Sequence, residues 1–170
     1  VRYGDKLSSV LEIDLREGRR DQLGGKGTIS ATQFGLNLEG PLGEEGSFIF
    51  SARRSYLDLI FRAAGFAFVP EYWDFLGKAD YRLDPKNRLS LLGIVALDNV
   101  RQFNDDPDDR FDNSRTLDSD QTQAVGSVSW QHLFGFGFST LTFGQTYVDY
   151  NYRQNDSLLD PVFLNDSYEH

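Results

Sequence analysis

Closely spaced aspartates between Asn104 and Asp120 are the residues of this chain best suited to bind a ligand directly. This stretch carries seven aspartates and two arginines, and hence more than half of the net charge of −9. Carboxylate oxygens are hard ligands that calcium prefers, so Asp105, Asp106, Asp108 and Asp109 are candidate calcium ligands. The stretch lacks the glycine-centred spacing of an EF-hand loop, and a solvated, mobile loop is the favoured interpretation.

Other reactive residue types give little support for an enzyme. The only histidines are His132 and His170, which is thin material for a Ser-His-Asp arrangement. Cysteine is absent, so the chain has neither disulfides nor thiolate metal ligands. The glycine-rich GFGFSTLTFG run is not followed by the lysine of a phosphate loop. The acidic balance argues against nucleic-acid binding, and we expect neither catalysis nor a cofactor.

The elements that carry these residues are predicted to be strands, and the clearest is a hairpin in the middle of the chain. From Trp73 to Leu83 the odd positions are apolar or small, whereas the even positions are mostly charged. Successive strand residues point to opposite sheet faces, so this strand has two unlike faces. Asp84-Pro85-Lys86-Asn87 is a turn sequence, and Arg88–Asp98 is the predicted return strand.

Similar strands recur along the whole chain, with short turns alternating with long connections. We therefore predict an all-β, antiparallel up-and-down meander. Strands of ten or more residues, short turns on one side and long loops on the other are typical of a transmembrane β-barrel. The segment 55–68 could form a short helix, and residues 151–170 are predicted to be a long loop. The predicted strands are Leu7–Arg16, Lys26–Glu39, Ser47–Leu57, Trp73–Leu83, Arg88–Asp98, Gln121–His132 and Gly137–Tyr150.

Aromatic residues are predicted to lie near both ends of the strands. Tyr81 and Trp130 fall near the short turns, whereas Tyr72 and Trp73 fall near the long connections. Two such girdles are expected at the two interfaces of a membrane, with a polar lumen on the opposite sheet face. The alternative is a soluble β-sandwich binding module, whose apolar face would pack on a second sheet.

The beginning of the chain carries a family resemblance. The stretch RYGDKLSSVLEIDLREG, residues 2–18, resembles the last plug strand of TonB-dependent outer-membrane receptors, with Tyr3-Gly4 followed by Val10-Leu11-Glu12-Ile13. The runs GSFIFSARRSYLDLIF and PEYWDFLGKADYRLDPKNRLSLLGIVALD are similar to the first barrel hairpins of these receptors, especially those of Bacteroidetes-like bacteria. The resemblance implies that residues 1–18 end a plug domain and that residues 19–170 form about six barrel strands of a longer receptor.

This resemblance also implies a function and a set of partners. Such receptors lie in the bacterial outer membrane and take up a scarce nutrient, such as a siderophore, corrinoid, oligosaccharide or peptide. Their N-terminal part engages the TonB complex, and their outer surface contacts lipid. Within the barrel, we expect Glu12 or Asp14 of the plug strand to pair with Arg53 or Arg82. The isolated chain, with unpaired sheet edges, is expected to self-associate.

Overall fold

A computed structural model describes residues 13–169 of the chain. Eight strands form one antiparallel sheet in which each strand pairs with the next in sequence, from β1 to β8. Two short helices lie in connections between strands. The elements are β1 (Gly24–Ile29), β2 (Gln33–Leu42), β3 (Gly46–Ser55), α1 (Leu57–Ala63), β4 (Phe68–Asp84), β5 (Asn87–Gln102), α2 (Pro107–Asn113), β6 (Asp118–Phe134), β7 (Gly137–Asn155) and β8 (Pro161–Glu169).

The predicted up-and-down meander is confirmed, and the central hairpin has the expected register. Tyr81 pairs with Leu89, and Trp73 pairs with Leu97. The turn between β4 and β5 is held by Asp84, whose carboxylate accepts hydrogen bonds from the backbone N–H groups of Lys86 at 2.7 Å and Asn87 at 2.9 Å. This local bonding is the usual reason for an aspartate at the start of a turn.

Two strand predictions were wrong. Lys26–Glu39 is two strands, because the Ser30 hydroxyl accepts from Gln33 N at 3.2 Å and Ser30 N donates to Gln33 O at 2.9 Å, which closes a tight turn. Residues 151–170 are predicted to be a loop, but the described residues 151–169 are mostly strand, since β7 extends to Asn155 and β8 follows. The turn before β8 depends on the Asp156 carboxylate, which accepts from Leu158 N at 2.8 Å and Asp160 N at 3.0 Å.

The predicted first strand, Leu7–Arg16, lies partly outside the described residues. Its described part, residues 13–16, is not a strand. Because Lys26–Glu39 is two strands and β8 lies in the predicted loop, the sheet has eight strands rather than about six. Strands β1 and β8 lie at its edges. The short helix predicted within 55–68 is confirmed as α1, and the acidic stretch contains α2.

The described part of the chain has almost no hydrophobic core. Its only buried hydrophobic residues are Ala67 and Val69. The chain exposes 12069 Å² of surface, whereas a folded monomer of this length exposes about 8,500 Å². The excess arises because the sheet is a single layer, so neither face is covered by a second layer of strands or helices. Among the described residues, no helix is long and apolar enough to cross a membrane.

Candidate functional site

Pairing across the sheet defines an apolar face. The side chains of directly paired residues in adjacent strands point to the same side of a sheet. The face that carries Trp73 and Tyr81 therefore also carries their partners in the other strands. In its four central rows, from β2 to β7, this face consists of Leu36, Leu38, Gly40, Leu42, Gly46, Phe48, Phe50, Ala52, Phe75, Gly77, Ala79, Tyr81, Leu89, Leu91, Gly93, Val95, Ala124, Gly126, Val128, Trp130, Leu141, Phe143, Gln145 and Tyr147.

These four rows carry no charged side chain. The only amide among them is Gln145, and many of the large apolar residues are exposed, including Leu91 and Phe143. An exposed apolar surface of this extent on a soluble monomer would be a binding or aggregation surface.

Charged side chains occur at the margin of the apolar face that lies near the long connections. Arg54 and Glu71 lie 3.4 Å apart, and the Trp73 indole donates to Glu71 at 3.2 Å. The guanidinium of Arg54 also lies 5.1 Å from the centre of the Trp73 ring. Trp73 thus stacks its apolar body on Phe75 and places its indole N–H among charged groups.

The opposite margin, near the short turns, has a comparable arrangement. The Trp130 indole donates to Asn87 Oδ1 at 3.1 Å, and His132 Nδ1 lies 2.8 Å from the same oxygen. Asn87 Nδ2 donates to Asp84 at 2.7 Å, so Asn87 Oδ1 is the acceptor for the Trp130 indole. Hydrogen bonds from Asn87 and from the Lys86 N–H hold the pKa of Asp84 below its ordinary value.

Three of the four predicted girdle residues share the apolar face. Trp73 lies at one margin, whereas Tyr81 and Trp130 lie at the other. The strand from Trp73 to Tyr81 spans about 27 Å. Tyr72 is the exception. It pairs with Asp98 on the opposite face, and its hydroxyl lies 3.4 Å from Gln33 Oε1.

The opposite, polar face of the sheet contacts the segment before β1. Lys78 Nζ donates to the carbonyl oxygens of Leu15 at 2.7 Å and Arg16 at 3.1 Å. Arg16 also pairs with Glu39 at 2.5 Å. Gly18 lies so close to the backbone of Phe48 that an added Cβ would be 2.1 Å from its carbonyl oxygen. Residues 15–18 therefore lie directly against the polar face, in what we call the docked segment.

A network of charges lies beside the docked segment. Asp80 is 2% exposed and lies 3.1 Å from Lys78 and 3.0 Å from Arg88. Arg88 also pairs with Glu17 of the docked segment. Burial alone would raise the pKa of Glu17, but hydrogen bonds from Arg20 and Arg88 outweigh it and keep the pKa below its ordinary value. The network joins three positions on two strands to the chain that precedes the sheet.

The pairs predicted from the sequence have other partners in the structure. Arg53 lies 3.4 Å from Asp74, and Arg82 lies 3.4 Å from Glu45. Asp14 is exposed and pairs with neither arginine, while Glu12 lies outside the described residues. Both arginines are on the polar face, as predicted, but carboxylates on neighbouring elements are closer to them.

Sequence reasoning missed the residues that hold the docked segment. The sequence places Lys78 and Asp80 only on the charged face of their strand, and it identifies Arg88 only as the start of the return strand. Their sequence signal is the run Lys78-Ala79-Asp80, which puts opposite charges on one strand face, with Arg88 across the turn. Alternation identifies the face, but it does not show which charges are covered.

The acidic stretch connects β5 to β6 and contains the short helix α2. Asn113 is 3% exposed, and its Nδ2 donates to the carbonyl oxygens of Phe103 at 2.7 Å and Ala67 at 3.2 Å. The Asp106 carboxylate accepts from Asp109 N at 2.9 Å and thereby caps α2. Asp105 and Asp108 flank this cap. Within residues 13–169, no three His, Asp or Glu side chains are grouped so that they could hold a metal ion.

Comparisons of the chain with protein-family models, with curated proteins and with solved structures found no match.

Proposed function

We propose that this chain forms part of the wall of an outer-membrane β-barrel and belongs to a TonB-dependent receptor that takes up a scarce nutrient. The observation that carries the proposal is the charge-free apolar face, four rows deep from β2 to β7. A wall of this kind needs a lipid-facing side without charges and a lumen-facing side that tolerates them. The two faces of this sheet differ in that way.

The single-layer architecture favours lipid over a protein core as the covering of the apolar face. A soluble β-sandwich needs a second sheet with its own apolar face, and the described residues form one sheet only. Strands β4 to β7 each have at least 16 residues, whereas about 9–11 residues suffice to cross a bilayer at a tilt. Their excess length would extend beyond the membrane on the side of the long connections.

The docked segment supports the receptor rather than a simple barrel. Residues 15–18 lie against the polar face and lead, through a bend, into the edge strand β1. A plug that ends inside the barrel and continues into its first strand would follow this path. The resemblance of residues 2–18 to a final plug strand supports the same arrangement. The rest of the plug and the remaining strands would be needed for transport.

The test is the location of the native protein that contains this segment. Membranes of the producing bacterium are separated by density, and the protein is detected with an antibody raised against the 170-residue chain. We expect it to fractionate with outer-membrane markers. Recovery with the inner membrane or the cytosol would contradict the proposal and would favour the soluble β-sandwich.

A further inference from the structure

The polar face of the sheet divides into two halves of different chemistry. The half from β2 to β4 carries charged groups that contact the docked segment or lie beside it, among them Lys78 and Asp80. From residue 92 onward, the polar-face positions of β5 to β8 include no lysine or arginine, and their only charges are Asp98 and Glu169. More than half of these positions carry serine, threonine, tyrosine, asparagine or glutamine. We call them the cation-free half.

One row of polar-face side chains crosses five strands and runs through the cation-free half. Strand pairing places Tyr72, Asp98, Gln121, Tyr150 and Ser167 side by side, from β4 to β8. Adjacent strands lie about 4.8 Å apart, so this tyrosine row is about 19 Å long. Within residues 13–169, the side chains of Asp98, Gln121 and Ser167 form no hydrogen bond or ion pair. The row therefore offers free donors and acceptors to a ligand.

The tyrosines add aromatic surface to the row. Tyr150 is followed on the same face by Tyr152, and their rings are nearly parallel, with an angle of 14° between them and centres 5.9 Å apart. Both side chains are only half-buried, as is Tyr72 towards the other end of the row. Tyrosine rings offer an apolar face with a polar edge. A ligand in the row would thus meet rings on both sides of Asp98 and Gln121.

The charges around the row disfavour an anionic ligand. Asp98 is exposed and is the only charged residue in the row. Arg53, on the charged half of the polar face, already lies 3.4 Å from Asp74. An anion would therefore be repelled by Asp98 without gaining a free cation in the cation-free half. Uncharged groups that donate hydrogen bonds suit this surface better.

We propose that the tyrosine row binds a neutral oligosaccharide, which is the nutrient taken up. The inference rests on the proposed function, because it names the class of ligand that the lumen-facing side receives. Sugar rings have apolar C–H faces that pack on tyrosine rings. Their hydroxyl groups donate to a carboxylate such as Asp98 in charge-assisted bonds, while the Gln121 amide both donates and accepts. The extended row fits a chain of several sugars that lies across the strands.

The experiment measures glycan binding by the native outer-membrane protein that contains this segment, purified in detergent. The probes are immobilised neutral oligosaccharides of glucose, xylose, mannose and galactose, with uronic-acid and amino-sugar oligosaccharides as anionic and cationic probes. Gln121→Ala and Tyr150→Ala alter the row, and Tyr150→Phe keeps the ring but removes its hydroxyl. Gln131→Ala is the matched control, because Gln131 lies on the same strand and the same face but outside the row.

We expect at least one neutral oligosaccharide to bind, and both alanine variants of the row to weaken its binding about tenfold. Tyr150→Phe should retain most of the affinity, and Gln131→Ala should bind like the parent protein. If only charged glycans bind, or none binds, the ligand class is wrong. If neither alanine variant of the row weakens binding, the site is wrong. These results leave the proposed function standing, which fails only if the protein is recovered outside the outer membrane.

Discussion

Asp80 shows how single residues of the polar face determine stability. It is the only charged residue that is buried among residues 13–169, and it forms salt bridges with both Lys78 and Arg88. Removal of one partner from a buried ionic cluster leaves an uncompensated charge, which costs about 3–5 kcal/mol. Arg88 remains partly exposed and can recover some hydration, so the lower end of that range applies here.

We therefore expect Asp80→Ala to lower the free energy of unfolding by about 3 kcal/mol. Asp98→Ala is the matched control, because Asp98 lies on the same face of the sheet but is exposed. Its effect should be within about 0.5 kcal/mol. Denaturant unfolding in lipid vesicles measures both, and equal effects would show that the Asp80 cluster contributes nothing specific.

Asp84 gives a prediction about pH at the turn between β4 and β5. Because its pKa is lowered in the folded chain, its stabilising bonds are complete above its unfolded pKa of about 3.9. They are lost as the pH falls through its lower folded value. Asn87→Ala removes the largest cause of the shift, so the midpoint of the Asp84 carboxyl titration, followed by carbon-13 NMR, should rise. An unchanged midpoint would contradict the role of Asn87.

At the scale of elements, the docked segment is held by a close backbone approach as well as by charges. Gly18 has no room for a side chain, because an added Cβ would lie 2.1 Å from the carbonyl oxygen of Phe48. Gly27 in β1 is the matched control, since an added Cβ there meets nothing within 4 Å. The two glycines are therefore expected to differ sharply on substitution.

We expect Gly18→Ala to release the docked segment and to speed tryptic cleavage after Arg16, Arg19 and Arg20 several-fold. Gly27→Ala should leave the cleavage rate unchanged. Limited proteolysis of the chain in vesicles, with the fragments identified by mass spectrometry, provides the measurement. If both variants are cleaved like the parent chain, the segment is not held in this way.

The elements differ in how far they can be predicted from the sequence. Strands such as β4 can be predicted from the sequence because apolar and charged residues alternate regularly over many positions. The turn at Ser30 was missed because a serine that bonds to Gln33 looks like any polar strand residue. Tyr72 was assigned to the girdle by its height along the strand, although its even position already placed it on the polar face. The partners of Arg53 and Arg82 depend on the register between elements, which no local pattern contains.

At the scale of the whole molecule, the chain has two unsatisfied edges and one uncovered face. Strands β1 and β8 each pair on one side only within the described sheet. Unpaired edges and large apolar patches both promote association in water. The isolated sheet therefore lacks the covering that a bilayer and further strands would provide.

In the absence of lipid or detergent, we expect the 170-residue chain to self-associate and to bury Trp73, Phe75, Tyr81 and Trp130. Light scattering should show particles much larger than a monomer, and added detergent should reduce their size. A well-behaved monomer in plain buffer would contradict this expectation and would favour a soluble fold.

The central claim is that lipid covers the apolar face, and spin labelling tests it most directly. The chain has no cysteine, so a nitroxide can be attached in it through Ala79→Cys on the apolar face or Ala96→Cys on the polar face. Both sites lie within strands and start from the same small residue. Electron paramagnetic resonance then measures the collisions of each label with oxygen, which concentrates in lipid, and with a water-soluble nickel chelate.

In outer membranes that contain the protein, the label at position 79 should collide readily with oxygen and rarely with the nickel chelate. The label at position 96 should collide less with oxygen than the label at position 79. If the label at position 79 is shielded from both reagents, the apolar face is a protein core. If it is open to the nickel chelate, the face lies in water, and either result would contradict the account.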